Sequence, residues 1–328
     1  MKFKNNAKLA VIGCGAVTQN FYIPAIKSLG IKPLFFVDKN IKSAQACAKK
    51  FKGAIGVASI DEILNDFSEA IITLPNTLHH PFAMKLISHN KNLLIEKPIS
   101  VSSVESKEIH EIAKKNGVSV ICGNMRRQLR SAQFVKNIIN NNILGDVTSF
   151  KCREGGIFNW PIQSESFWYK EFSGGGVLLD TGSHTLEQII YHLGVPNELI
   201  YYDNQIDNVE SDCIIKFHYN NFKGSLQLSR TIGLDCRFFI EFENGKIIFD
   251  LIGNKIDMYC SEQLKEKANY SNFKQNNQSY DDLISKQIDQ WYKLISNEDA
   301  TNVVTTKEAH EVMKIIDFCY NNRNEIQL

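Results

Sequence analysis

Hydrophobic and polar positions along the first 124 residues alternate between buried-strand and amphipathic-helix patterns. Continuous apolar runs predict strands buried on both faces, and segments with apolar residues every three or four positions predict the helices between them. The runs are LAVIG, PLFFVD, EAIITLP, NLLIEKP and VSVICGN, and the helical segments include AVTQNFYIPAIKSLG and VESKEIHEIAKKNG. This alternation predicts a doubly wound parallel sheet of the Rossmann type.

The pattern changes after Asn124. Helices are predicted at QFVKNIINN and after the glycines of GGGVLLDTGSH, and a strand is predicted at VTSFKCREGG. Strand-like runs follow between about residues 198 and 260, where the Asn244–Gly245 pair predicts a hairpin. The polar segment 262–280 predicts a mobile loop, and two helices follow near 281–296 and 306–321.

These patterns predict an α/β protein with two domains. Residues 1–124 form a dinucleotide-binding Rossmann domain in this prediction. Residues 125–328 form a substrate-binding and oligomerisation domain with an open, mainly antiparallel sheet, and its last helix can pack back on the first domain. A chain of 328 residues is long enough for two cores.

Composition and charge narrow the class of protein. A formal net charge of +1 gives no global field that would favour nucleic acid or an anionic membrane, and no apolar run is long enough to span a bilayer. Eight cysteines are scattered through apolar segments without a C-x-x-C pair, which is typical of reduced thiols. We therefore expect a cytoplasmic protein with no nucleic-acid or membrane partner.

A glycine-rich turn follows the first predicted strand and opens a predicted helix. Gly13 permits the tight turn, and Gly15 lets the backbone approach a pyrophosphate at the helix N-terminus, beside Ala16 and Val17. Thr18 stands where the fingerprint has a third glycine, so its bulk is expected to loosen the packing of the helix on the strand. A strand, turn and helix without a ligand is the alternative interpretation.

Asp38 ends the second predicted strand, some twenty residues beyond the glycines. A carboxylate at this place hydrogen-bonds the adenosine ribose and repels a 2′-phosphate, which predicts NAD rather than NADP. Lys39 follows and weakens that preference, and an ordinary polar strand end is the alternative.

The order of several motifs resembles the glucose–fructose oxidoreductase, inositol dehydrogenase and rhizopine-catabolism (Gfo/Idh/MocA) family of oxidoreductases. They are VIGCGAVTQNFYIPA, the strand-end Asp38, TLPNTLHH, IEKP, GGGVLLDTGSH and TTKEAHEVMKIIDFCYNN. The resemblance implies a Rossmann domain followed by an α/β domain whose open sheet commonly mediates dimers or tetramers, so we expect a homodimer or homotetramer.

The resemblance also assigns site residues. It implies that Lys97, Asp180 and His184 are catalytic and bind substrate, that Pro75, Asn76 and His79 line the dinucleotide site, and that Glu96 and Lys97 lie near the cofactor. Trp168-Tyr169 replaces the aromatic-Arg pair of many members, and Glu187 stands where members often have aspartate.

Arginines near the predicted cleft are candidates for an anionic group of the substrate. Arg126, Arg127 and Arg153 are considered, with Arg153 preferred because it lies on a strand that enters the second domain. A structural salt bridge is the alternative for Arg153. No third ligand accompanies Asp180 and His184, so no metal site is predicted.

Together these residues predict NAD(H)-dependent hydride transfer to or from a secondary alcohol carbon of a sugar, nucleotide sugar or cyclitol. His184 would move the hydroxyl proton, Lys97 would stabilise the developing alkoxide and Asp180 would orient either group. Three alternatives stay open: an NAD-retaining glycosidase or lyase, a non-catalytic dinucleotide-binding regulator, and a mere surface ion pair between Asp180 and His184.

Overall fold

Two β-sheets organise the part of the chain that the computed structural model describes, residues 8–157, 169–205, 209–253, 255–260 and 278–326. These residues group into two compact units. The first unit takes its described residues from 1–125, 161–174 and 279–314, and the second takes them from 126–160, 175–278 and 315–328. The first unit therefore draws on three stretches of sequence. The domain boundary at residue 124 stays a prediction.

The first sheet lies in the first unit. Its strands are β1 (Leu9–Ile12), β2 (Phe35–Val37), β3 (Ile55–Val57), β4 (Glu69–Ile72), β5 (Asn92–Ile95), β6 (Val120–Cys122) and β14 (Val304–Thr305). Their order is β14-β6-β5-β4-β1-β2-β3, and only the β14–β6 pair is antiparallel. The doubly wound parallel sheet predicted from the apolar runs is confirmed. The short strands β3 and β14 were not predicted, whereas β2 and β6, which are also short, lie within longer apolar runs.

Helical segments connect these strands. They are the π segment Thr18–Tyr22, the α-helices Ile23–Ser28, Ile41–Ala48, His79–Ser88, Ser103–Asn116, Lys170–Ser173 and Tyr280–Ile295, and the 3₁₀ segments Ile60–Glu62 and Asn76–Leu78. Capping residues set the bounds of the helix Ser103–Asn116. The Ser102 hydroxyl accepts from the Glu105 N–H at 3.2 Å, and Gly117 ends the helix at φ +64°.

The second sheet lies in the second unit. Its strands are β7 (Val147–Gly155), β8 (Glu198–Asp203), β9 (Asp212–His218), β10 (Lys223–Ser229), β11 (Arg237–Phe242), β12 (Gly245–Asp250), β13 (Ile256–Cys260) and β15 (Arg323–Glu325). Their order is β13-β12-β11-β7-β10-β9-β8-β15, with parallel pairing only at β7–β10 and β8–β15. The mainly antiparallel sheet is therefore confirmed. The hairpin turn is Glu243–Asn244, one residue before the predicted pair.

One face of the second sheet is covered and the other is open. Phe217, Leu226 and Phe238 on the covered face are fully buried. The helix Val177–Leu193 packs there on β7, β9 and β10. The remaining helices with residues in this unit are the 3₁₀ segment Met125–Gln128 and the α-helices Arg130–Asn140 and Thr306–Asn321. Strand alternation places Ile214 and Phe239 on the open face, where they are half-buried.

Three predictions about the chain as a whole have different outcomes. All eight cysteines are free thiols, as their spacing predicted. Within the described ranges, none of the helices combines the length and apolar character that crossing a bilayer would need. Most of the predicted mobile loop, residues 261–277, lies outside the described residues.

His192 is a buried histidine between the helix Val177–Leu193 and the second sheet. It is 2% exposed, and the rings of Phe238 and Phe249 meet it edge-on at centroid distances of 5.8 and 5.3 Å. Neither ring nitrogen has a hydrogen-bond partner among the described residues. Burial, with the positive charges of Lys136 and Arg127, lowers the pKa of His192 from 6.5 to about 3. The folded protein therefore holds this imidazole neutral.

Stability should depend on pH through His192. Between pH 6.5 and about pH 3 the unfolded chain binds a proton at this residue and the folded chain does not. The free energy of unfolding therefore falls as pH falls, by about 1.4 kcal/mol per pH unit or about 2 kcal/mol from pH 6.5 to 5. In His192→Phe this part of the loss should disappear. Urea unfolding of the wild type and of His192→Phe at pH 6.5 and pH 5 measures this difference. His89→Phe, at an exposed histidine, is the control. A His192→Phe protein that loses as much stability as the wild type would contradict the assignment.

Candidate active site

The glycine turn after β1 is built for a close backbone approach. Gly13 has φ +98°, and a Cβ there would lie 2.7 Å from the carbonyl oxygen of Thr73, so no other residue fits. A Cβ at Gly15 would meet nothing within 4 Å, which leaves open space at that point. Ala16 and Val17 begin the helical segment that follows. The turn therefore fits a phosphate group approaching the start of a helix.

Thr18 tightens this turn instead of loosening it. Its hydroxyl donates to the carbonyl oxygen of Gly13 at 2.7 Å and lies 2.7 Å from the hydroxyl of Thr73, which itself donates to Gly13 O at 3.0 Å. Thr18 is fully buried at the start of the π segment. These hydrogen bonds hold the start of the helix against the glycine turn, so the expectation of looser packing is wrong.

Asp38 ends β2 and binds the glycine turn through its carboxylate. Oδ2 accepts from the N–H of Cys14 at 2.9 Å, and Oδ1 accepts from the N–H of Asn40 at 2.8 Å. The carboxylate therefore has a structural role in this unit in addition to the cofactor role predicted for it. Any variant at this position must preserve an acceptor for the Cys14 N–H.

Hydrogen bonds to other segments of the first unit hold the P-N-x-x-H segment after β4 in place. The Asn76 amide donates to the carbonyl oxygen of Ser173 at 3.0 Å, and the Pro75 carbonyl accepts from the Leu78 N–H at 2.8 Å. The ring nitrogens of buried His79 lie 2.7 Å from Pro98 O and 2.8 Å from Leu74 O. Burial lowers the pKa of His79. His79 thus ties the loop after β4 to the loop after β5.

Glu96 and Lys97 follow β5. Tyr22, which was not a candidate from the sequence, holds Glu96 in place. The hydroxyl of Tyr22 donates to Glu96 Oε1 at 2.6 Å, and the N–H of Lys97 donates to Oε2 at 2.9 Å. Tyr22 is fully buried, and burial with the nearby Glu96 charge raises its pKa, so it stays a donor. A Cβ on Gly123 would lie 2.9 Å from Glu96 Cα. The Lys97–Pro98 peptide is cis.

Backbone conformation and close neighbours explain the three glycines of GGGVLLDTGSH. Gly174 takes φ +81° and ends the helix Lys170–Ser173. In the second unit, a Cβ on Gly175 would lie 2.4 Å from the hydroxyl oxygen of Tyr320, and one on Gly176 would lie 2.1 Å from Glu210 O. No motif in the sequence marks Tyr320 or Glu210 as a neighbour of these glycines.

Glu210 caps the helix Val177–Leu193. Its carboxylate accepts from the N–H groups of Gly176 at 3.1 Å and Leu178 at 2.8 Å, and from the Tyr320 hydroxyl at 2.9 Å. Burial raises the pKa of Glu210. A remote carboxylate therefore satisfies the backbone donors that begin the helix, which no local side chain does.

Asp180 and His184 lie one turn apart on this helix. Asp180 belongs to the first turn, and its Oδ2 accepts from Arg230 Nη2 at 2.9 Å. His184 is 8% exposed. Arg230 was not a sequence candidate, because nothing in its neighbourhood in the sequence distinguishes it from other arginines.

Buried ion pairs connect the same helix to other parts of the second unit. Arg126 donates to both oxygens of Glu154 at 2.8 and 2.6 Å, and Thr185, next to His184, donates to Glu154 at 2.5 Å. Arg127 donates through Nε to Glu187 Oε1. These contacts fix the rotation of the helix about its axis. They also engage Arg126 and Arg127, two of the arginines considered for an anionic substrate group.

Arg153 lies on the opposite face of the second sheet. Its neighbour on β7, Glu154, faces the helix through Thr185, and successive strand residues point to opposite faces. On the open face Arg153 pairs with Asp235 and stacks over the ring of Phe239 at 5.3 Å from its centroid. The structure does not bring Arg153 to Asp180 and His184, so we leave it out of the substrate site. Of the aromatic pair, Trp168 lies outside the described residues and Tyr169 is exposed.

The first unit has a Rossmann sheet with a glycine turn and a strand-end carboxylate, and the second is an α/β unit. Together they define a dinucleotide-binding oxidoreductase fold. Residues 7–124 match the oxidoreductase family with an NAD-binding Rossmann fold, and residues 132–248 match the GFO/IDH/MocA C-terminal domain. The chain belongs to the Gfo/Idh/MocA oxidoreductase family. The resemblance stated from the sequence motifs is confirmed.

Relatives in this family include sugar and cyclitol dehydrogenases. D-glucoside 3-dehydrogenase of Escherichia coli is 25% identical over 58% of this chain and 54% of its own length. The scyllo-inositol 2-dehydrogenase (NADP(+)) of Bacillus subtilis is 24% identical over 67% of this chain and 61% of its own length. The matches thus span between half and two thirds of these relatives.

The similarity to a solved structure covers almost the whole chain. The WlbA dehydrogenase of Bordetella pertussis, in complex with NADH and UDP-GlcNAcA, has a TM-score of 0.82 and 15% identity, with 96% of each chain covered. At this identity the likeness concerns the fold.

Proposed function

We propose that this protein is an NAD(H)-dependent oxidoreductase that transfers hydride to or from a secondary alcohol carbon of a sugar, nucleotide sugar or cyclitol. The observation that carries the proposal is the pair Asp180 and His184, one turn apart on a capped and braced helix, with Arg230 bound to Asp180. Relatives named for glucoside and inositol dehydrogenation support the substrate class.

The first unit supplies residues that fit a dinucleotide. Gly13 forms the tight turn, Gly15 leaves room for the pyrophosphate beside Ala16 and Val17, and we assign Asp38 to the adenosine ribose. Pro75, Asn76 and His79 belong to the braced loop after β4, and Glu96 is held by Tyr22 after β5. When bound, NAD supplies the nicotinamide carbon that accepts or donates hydride.

In this proposal three side chains of the protein handle the alcohol. The His184 imidazole takes the hydroxyl proton during oxidation and returns it during reduction, a task suited to a group whose ordinary pKa is near neutrality. The Lys97 ammonium stabilises the negative charge that develops on the same oxygen. The Asp180 carboxylate orients a neighbouring hydroxyl of the substrate.

Turnover of a substrate panel tests this function. The purified protein is incubated with a D-glucoside, scyllo-inositol or UDP-GlcNAcA and with NAD⁺ or NADP⁺, and reduced cofactor is followed by absorbance. We expect reduction with at least one of these alcohols. Tight NADH binding without turnover of any of them would contradict the proposal and favour a non-catalytic regulator. Retained cofactor, found by mass spectrometry, would favour the NAD-retaining lyase.

Asp38 should determine the choice of NAD over NADP. A carboxylate beside a 2′-phosphate costs binding free energy, so we expect NADH to bind on the order of a hundredfold tighter than NADPH. Asp38→Asn should reduce this ratio to about tenfold or less, since its amide oxygen can still accept from the Cys14 N–H while the charge is gone. Titration of both cofactors measures the ratio, with Asp61→Asn as an exposed control. Equal binding of the two by the wild type would refute the assignment.

The open face of the second sheet is our proposed oligomer interface. Half-buried Ile214, Phe239 and Ile248 share this face with Arg153 and Lys216. We expect a homodimer or homotetramer in light scattering, and Phe239→Glu should shift the protein to a smaller species. A wild-type monomer at micromolar concentration would rule the interface out.

Location and other partners remain predictions. A net charge of +1 and eight free thiols support a cytoplasmic protein without a nucleic-acid or membrane partner.

A further inference from the structure

Arg230 follows β10 in a loop that its neighbours hold in one conformation. Its backbone N–H donates to Ser211 O at 2.8 Å. The Asp212 carboxylate accepts from Thr231 Oγ1 at 2.8 and 2.9 Å and also from the Ser229 hydroxyl. The residues on both sides of Arg230 are therefore pinned to β9, which fixes the direction in which its side chain leaves the sheet.

The guanidinium of Arg230 reaches the first turn of the helix Val177–Leu193. Nη2 donates to Asp180 Oδ2 at 2.9 Å and lies 3.4 Å from Gly176 O. The arginine side chain is 6% exposed and the aspartate side chain is 29% exposed. The cation of the pair is thus buried, whereas the carboxylate is partly exposed.

Charged and polar groups surround Asp180 in the first turn of the helix. Arg230 places a positive charge against the carboxylate, and the helix N-terminus adds a partial positive charge. Glu210, hydrogen-bonded to Tyr320, caps the N–H groups of Gly176 and Leu178, and His184 lies one turn further along the helix. The hydrogen bond from Arg230 to Oδ2 limits the positions that the Asp180 carboxylate can take.

From this arrangement we infer that Arg230 is a positioning residue for Asp180, which fixes the direction in which that carboxylate meets a substrate hydroxyl. The inference rests on the proposed function, in which Asp180 touches the substrate. A displacement of about 1 Å in such a group can reduce turnover on the order of a hundredfold. Loss of Arg230 should therefore act on kcat through Asp180.

Kinetics of a double-mutant cycle test the inference. Arg230→Ala, Asp180→Ala and the double variant are compared on whichever panel alcohol the wild type oxidises, with NADH affinity measured by fluorescence. We expect Arg230→Ala to lower kcat about tenfold to a hundredfold with NADH affinity unchanged. In the Asp180→Ala protein the same change should cost less than about threefold, because the group it positions is gone.

Rescue and a matched control separate positioning from folding. Arg230→Lys should recover most of kcat, since an ammonium can also donate a hydrogen bond to Oδ2. Arg237→Ala, which removes a partly exposed pair with Asp250 at 3.4 Å in the same sheet, should leave kcat unchanged. An Arg230→Ala protein with wild-type kcat, or an equal loss in the Asp180→Ala background, would overturn the inference.

Crystal structures of the variants test, without any substrate, whether Arg230 positions the Asp180 carboxylate. In crystals of Arg230→Ala, the Asp180 carboxylate should leave its wild-type position, and Arg230→Lys should restore it. A carboxylate that stays in place would overturn the inference. Absence of wild-type turnover on the whole panel would contradict the proposed function alone, and the crystal structures would still decide the role of Arg230.

Discussion

Replacing His184 with alanine should lower kcat by about 10²–10⁴-fold, with NADH affinity nearly unchanged. In the proposed mechanism this imidazole moves the hydroxyl proton, and no other histidine of the helix can replace it, because His192 is buried against Phe238 and Phe249. Hydride transfer in a single turnover measures the loss directly, and cofactor binding shows whether the first unit is intact.

A histidine elsewhere on the second unit provides the control for this experiment. His218 ends β9 and is only partly buried, so His218→Ala should turn over substrate at the wild-type rate. If Asp180 and His184 only stabilise the helix, His184→Ala should leave turnover intact. Wild-type turnover by His184→Ala would mean that GGGVLLDTGSH is scaffold.

Replacing Lys97 with alanine should lower kcat by about 10²–10³-fold. The expected cause is loss of the ammonium that stabilises developing negative charge on the alcohol oxygen. Lys97→Arg should also be poor, because a planar guanidinium fork cannot replace a compact ammonium. The double variant with His184→Ala should lose much less than the product of the two losses, since both groups act on one oxygen.

Steady-state and single-turnover rates on the same substrate measure the Lys97 series. Lys85→Ala is the matched control, since Lys85 is a lysine of the same unit paired with Asp61 at the surface. Full activity in Lys97→Arg would show that position 97 needs only a positive charge. Strict multiplication of the two losses would show that Lys97 and His184 act on different atoms.

The first sheet could be predicted from the sequence because its signal is local. LAVIG, EAIITLP and NLLIEKP are apolar on both faces, and only a sheet covered on both sides buries such strands. The glycine turn was predictable for the same reason, since Gly13 and Gly15 stand at a strand end and a helix start. The short strand β3 was not predicted, because Gly56 interrupts its apolar residues.

The partners of the site residues could not be predicted in the same way. Tyr22 binds Glu96 across 74 positions, and Arg230 binds Asp180 across 50. A sequence shows that such groups exist, but many pairings are compatible with their spacing. Arg153 is an example. Its place on a strand was predicted, but the face of the sheet on which it lies follows only from the contact between its neighbour Glu154 and Thr185.

The sequence by itself thus determined the doubly wound sheet, the glycine turn, the strand-end Asp38 and the one-turn spacing of Asp180 and His184, because each follows from the period of a single strand or helix. Only the tertiary structure decided that Glu210 and Tyr320 require Gly175 and Gly176, that Arg230 binds Asp180, and that Arg153 faces away from them. These contacts join segments whose distance in space depends on the path of the whole chain.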